Sequence, residues 1–90
     1  MLFRSSPTPS GTLPGPNVTF TWSAATGATE YYLWLGSMGV GSNDLKNLGI
    51  TSGNSTAVTG LPTNGETIYA RLYTDYSGVK VYTDYTYTAQ

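Results

Sequence analysis

Ninety residues make one domain, with a single small core that can bury only about 60 to 65% of the unfolded chain's surface. Cysteine is absent, which excludes a disulfide framework and a thiolate metal site and leaves the redox compartment open. Only four cations, Arg4, Lys46, Arg71 and Lys80, are scattered along a chain of net charge -1, so no basic stripe forms for phosphates and nucleic acid is not an expected partner.

Eight Tyr, two Trp and abundant Thr and Val mark a folded β protein, since disordered chains are poor in such residues. No apolar run approaches the ~20 residues that cross a bilayer, so membrane insertion is not expected. The opening "MLFRSS" is too short to hold the apolar region of a signal peptide, and an export signal would lie upstream of it.

In chain order, residues 1–16 form a Pro/Ser/Gly-rich leader that holds four of the five prolines. Such a segment is extended and suits a linker with an edge strand. Its sixteen residues span at most roughly 55 Å. Part of Pro7 to Leu13 is expected along a sheet edge of its own domain, with Met1 to Ser6 loose unless a neighbour holds them. Pairing with another copy's edge is the alternative.

The compact body covers residues 17–90. "NVTFTWSA" places Val18, Phe20 and Trp22 on one strand face and Thr19, Thr21 and Ser23 on the other. After a turn at Gly27, "EYYLWLGS" sends Tyr31, Leu33 and Leu35 to one face and Tyr32 and Trp34 to the opposite one. "GVGSND" breaks that strand, and "DLKNLGITS" supplies a short edge strand through Leu45, Leu48 and Ile50. A short strand follows around Val58, then a turn at "LPTNG" and a long alternating run from Thr67 to Asp75. Ser77-Gly78 reads as a hairpin into the last strand, "KVYTDYTYTA".

The parity of that last strand groups Val79, Val81, Tyr85 and Tyr87 against Lys80, Tyr82 and Asp84, and a bulge near Thr83 would exchange the two faces. No stretch keeps a helical period over about ten residues. Six or seven short strands separated by turn signals predict an all-β, antiparallel β-sandwich of about seven strands, with an open barrel as the alternative.

The runs "FTWSAATGATEYYLWLG" and "AVTGLPTNGETIYARLYT", followed by a Tyr-rich last strand, resemble the fibronectin type III-like modules of large secreted and surface proteins of bacteria. The resemblance extends from about Pro7 onward. Trp22 matches the family's core tryptophan, Tyr31 and Leu33 the inward pair of its third strand, and Leu61 the leucine opening the turn into its sixth. It implies an extracellular or cell-surface location, and neighbouring domains or copies of itself as partners.

One departure concerns the inward tyrosine with which the family begins its sixth strand. With Val58 and Leu61 inward, the alternation of "TIYARLYT" puts Ile68, Ala70 and Leu72 in the core and Tyr69 outside. The opposite register would bury Arg71 without a partner, at a cost of several kcal/mol.

Catalytic chemistry has little to draw on. Histidine is absent, so nucleophilic triads lack their usual base. The five acids, Glu30, Asp44, Glu66, Asp75 and Asp84, read as solvating residues at strand ends and turns. Asp44 and Asp75 could join loop carbonyls around Ca²⁺, but no D-x-D-x-D-G run supports such a site. Neither a metal nor another cofactor is expected. "NVT" at Asn17 and "NST" at Asn54 match the glycosylation pattern, as chance allows in a chain so rich in Ser and Thr.

The outward aromatics are therefore the candidate site. If the third, sixth and last strands are neighbours, Tyr32, Trp34, Tyr69, Arg71, Tyr73 and Tyr82 share one outer face with Lys80 and Asp84. Five half-exposed rings of ~150 to 250 Å² each make a patch of a few hundred Å², a size that often marks a contact. The alternative is plain cross-strand packing, each pair contributing about 0.2 to 1 kcal/mol. Two functions are compatible with the face: a non-catalytic structural or interaction module, or a platform for polysaccharide. Coplanar exposed rings favour the platform, and edge-on interlocked rings favour the structural role.

Overall fold

The structure is a computed structural model that describes residues 5–6, 10–50 and 53–90. Those residues form no helix and build two antiparallel sheets. Six strands have four residues or more: β2 (Val18–Trp22), β3 (Glu30–Gly36), β4 (Lys46–Ile50), β5 (Ser55–Val58), β6 (Thr67–Tyr76) and β7 (Val79–Thr88). A two-residue strand, β1 (Ser5–Ser6), adds to the edge of β2. The sheets run β1-β2-β5 and β4-β3-β6-β7.

Alternation decides which face of each sheet is buried. Val18, Phe20 and Trp22 from β2, Tyr31, Leu33 and Leu35 from β3, Val58 from β5, and Ile68, Ala70 and Leu72 from β6 form one core with Leu61. Every residue assigned to the interior from the sequence lies there. The two sheets meet across this core as in a β-sandwich, with aromatic edges among the contacts: Phe20 meets Tyr87 at 5.6 Å and 75°, and Trp22 meets Tyr31 at 5.4 Å and 61°. The Tyr31 hydroxyl also accepts a hydrogen bond from the Ala25 amide at 2.8 Å, which ties the β2–β3 loop to the core.

The leader is more involved than expected. Leu13 is 1% exposed and belongs to the core. Its amide donates to the Thr88 carbonyl at 2.8 Å, and the Ser10 amide donates to the Thr86 carbonyl at the same distance. Thr88 returns a bond to the Gly11 carbonyl, so residues 10–13 cover the end of β7 in a parallel sense. Ser5 and Ser6 pair with Trp22 and Thr21, which corrects the expectation of a loose segment at those two residues. The physical reason is the open edge of β2, whose backbone groups gain partners there. The expectations for Met1 to Arg4 and for Pro7 to Pro9 concern residues outside the described ones, as are Thr51 and Ser52.

β6 and β7 pair without interruption from Thr67 opposite Thr88 to Tyr76 opposite Val79, so no bulge interrupts the ladder at Thr83. Ser77 and Gly78 take φ of 53° and 98°, the positive pair that a two-residue type I′ hairpin demands. Tyr87 turns into the core, yet Val79 and Val81 of the same parity stay 65% and 47% exposed. The facing strands β2 and β5 have only five and four residues against ten in β7, so the hairpin tip lacks an opposing layer.

Candidate functional site

The outer face of the four-stranded sheet is a grid fixed by register. One row across it reads Glu30, Asp75, Lys80, and the next reads Gly49, Tyr32, Tyr73, Tyr82. A third row holds Asn47, Trp34, Arg71 and Asp84, and a fourth holds Tyr69 with Thr86. Because the inward residues of β3 and β6, with Tyr87 of β7, are pinned in the core and β7 pairs with β6 without a break, the outward ones cannot change face without exposing that core.

The rings interlock. Trp34 and Tyr73 meet at 4.9 Å with planes 70° apart, and Tyr73 and Tyr82 meet at 5.6 Å and 63°. Such T-shaped contacts set the positive edge of one ring against the negative face of the next. The Arg71 guanidinium lies over Tyr82, 3.9 Å from its centroid, and more loosely over Tyr73. Asp84 holds the guanidinium from the neighbouring strand, and the hydrogen bonds to that carboxylate keep Arg71 more firmly protonated than a free arginine. Gly41 of the β3–β4 loop closes over the same group: a Cβ there would lie 3.2 Å from the guanidinium carbon, and its φ is +85°.

A second half of the face is open. Tyr32, Trp34, Asn47, Tyr73 and Lys80 line a shallow hollow of about 440 Å³. The Tyr32 hydroxyl donates to Glu30 at 2.8 Å, and this bond raises the phenol's pKa. Lys80 stands above the Tyr32 ring, 5.5 Å from its centroid, and 3.7 Å from the Asp75 carboxylate.

Of the six residues singled out from the sequence, Tyr32, Trp34, Arg71, Tyr73 and Tyr82 are brought together. Tyr69 is on the same face but makes no ring contact with them among the described residues, and lines a separate hollow with Val40, Asp84 and Thr86. Asn47 was missed. It sits on the weakly patterned β4, and only its register opposite Trp34 brings it to the face.

Two acids depart from the reading as solvating residues at strand ends and turns, the first being Asp84, which sits mid-β7 in its fork with Arg71. Asp75 is 7% exposed, because it accepts from the Gly78 amide at 2.7 Å inside the hairpin and faces Lys80. Asp44 does act in a turn: it accepts from both the amide and the hydroxyl of Ser37, which lowers its pKa. Among the described residues, no three His, Cys, Asp or Glu side chains gather where a metal ion could be held. Compared with models of known families and with curated proteins, the chain matches none.

Proposed function

We propose that the chain is a non-catalytic structural or protein-interaction module, fibronectin type III-like, of a secreted or cell-surface multidomain protein or assembly. On this reading the outer face of the β4-β3-β6-β7 sheet meets neighbouring domains or further copies of the chain. The observation that carries the reading is the interlocked series Trp34, Tyr73, Tyr82 with Arg71 fixed between ring and carboxylate. Trp, Tyr and Arg are the residues that dominate contact energies. Side chains already held in place lose little entropy when a partner arrives. Two antiparallel sheets of three and four strands around one core support the family resemblance.

The edge-on packing of the rings favours this reading over an extended polysaccharide platform, because rings 70° and 63° apart offer no common plane. Sedimentation velocity over a series from micromolar to millimolar protein is the test. Concentration-dependent association that disappears in Tyr82→Ser is the expected result, and association unchanged in that variant contradicts the assignment of the face.

A further inference from the structure

The geometry points to a second use of the same face: the hollow between Tyr32, Trp34, Asn47, Tyr73 and Lys80 binds one pyranose ring of a neutral saccharide. This goes beyond the interaction role, and the two stand or fall on separate measurements.

Three of the five side chains are aromatic, and at about 440 Å³ the hollow falls in the size range of small-ligand sites. It is shallow, so a bound molecule keeps one side in water. A wholly apolar ligand would leave that side poorly solvated. A pyranose has an apolar face of C–H groups for a ring and hydroxyls around its rim, and suits both surroundings. The 70° angle between Trp34 and Tyr73 shapes a floor and a wall for one sugar ring in place of a flat track for several.

Polar groups sit where the hydroxyls would point. The Asn47 side-chain amide, which can both donate and accept, makes no hydrogen bond among the described residues. Lys80 contributes N–H donors. Its charge already faces Asp75 at 3.7 Å, with Glu30 in the same row of the sheet, and this balance disfavours an anionic sugar and leaves a neutral one. Arg71 and Asp84, on the same outer face, are paired with each other and lie outside the hollow.

Affinity electrophoresis tests this directly, with soluble cellulose-type glucan, starch-type glucan, xylan and mannan as neutral probes and pectate as the anionic one. Retardation by at least one neutral polymer is expected. Asn47→Ala, an exposed change that leaves the core untouched, should weaken it by about tenfold, the equivalent of one anchoring contact. Trp34→Ser should abolish it, and Tyr69→Ser should leave it as in the parent. No retardation by any neutral polymer, retardation by pectate alone, or retardation indifferent to Asn47→Ala overturns the proposal.

Discussion

Arg71 and Asp84 stand directly opposite each other on β6 and β7 and share two hydrogen bonds, Nε to Oδ1 at 2.8 Å and Nη2 to Oδ2 at 3.1 Å. With side chains only 17% and 31% exposed, the pair is better shielded than an ordinary surface ion pair. A fork of this kind fits a guanidinium and no other cation. Arg71→Lys is therefore expected to behave as a loss, keeping the charge but neither the fork nor the stacking on Tyr82. A double-mutant cycle of Arg71→Ala and Asp84→Ala in urea should return a coupling of about 0.5 to 1 kcal/mol, smaller at high salt. A coupling of zero would make the pair incidental to the face.

Leu13 carries the leader's share of stability. Leu13→Ala should cost about 2 to 5 kcal/mol, the range for a fully buried leucine, in a domain whose total is only about 5 to 15. Chemical denaturation should show a larger loss still for a chain shortened to begin at Pro14, which removes the same plug together with the backbone bonds of residues 10–13 to β7 and the pairing of β1 with β2. A shortened chain as stable as the parent would mean that residues 10–13 merely lie on β7.

Gly36 is required for space. A Cβ at this position would fall inside the Ser42 residue of the β3–β4 loop, within 2.5 Å of its backbone carbon. Gly36→Ala should therefore displace the loop that closes over Arg71, lower the melting temperature and change the amide shifts of residues 37–45. An unchanged melt would contradict the close approach.

Alkaline pH should destabilise the fold through Tyr87, whose phenol is pushed up to about 12 by burial. An unfolded tyrosine ionises near pH 10, so between about pH 10 and 12 the unfolded chain sheds a proton that the folded chain retains. Stability is full below that window and falls as pH rises through it. Tyr87→Phe should flatten this limb of a melting-temperature profile, and a limb as steep as the parent's would assign the effect to other tyrosines.

The inner face of the fold was legible in the sequence because a period of two reports its own burial. Val18 to Trp22, Tyr31 to Leu35 and Ile68 to Leu72 alternate without exception. Leu13 was not legible, since a Pro- and Gly-rich stretch has no period and its burial depends on pairing with Thr88, seventy-five residues away (88 - 13). Val79 and Val81 show the converse. Parity assigned them a face correctly but says nothing about whether a second sheet reaches far enough to cover it. The candidate site was half legible on the same grounds: its rings follow from alternation, whereas Asn47 enters only through the β3–β4 register.

The proposed division of labour among the rings has Trp22 and Tyr31 building the domain while Trp34 and Tyr73 present a surface. Equilibrium unfolding of Trp22→Ala beside Trp34→Ser measures it most directly. Trp22 is buried at the contact between the sheets, and its loss should cost about 3 to 5 kcal/mol. Trp34 is only partly buried, and losing its edge contact to Tyr73 should cost no more than about 1 to 2 kcal/mol, with a native amide spectrum retained. A Trp34→Ser chain that unfolds, or one as destabilised as Trp22→Ala, would make the outer rings part of the core structure and contradict the proposal that they serve as a surface for contact.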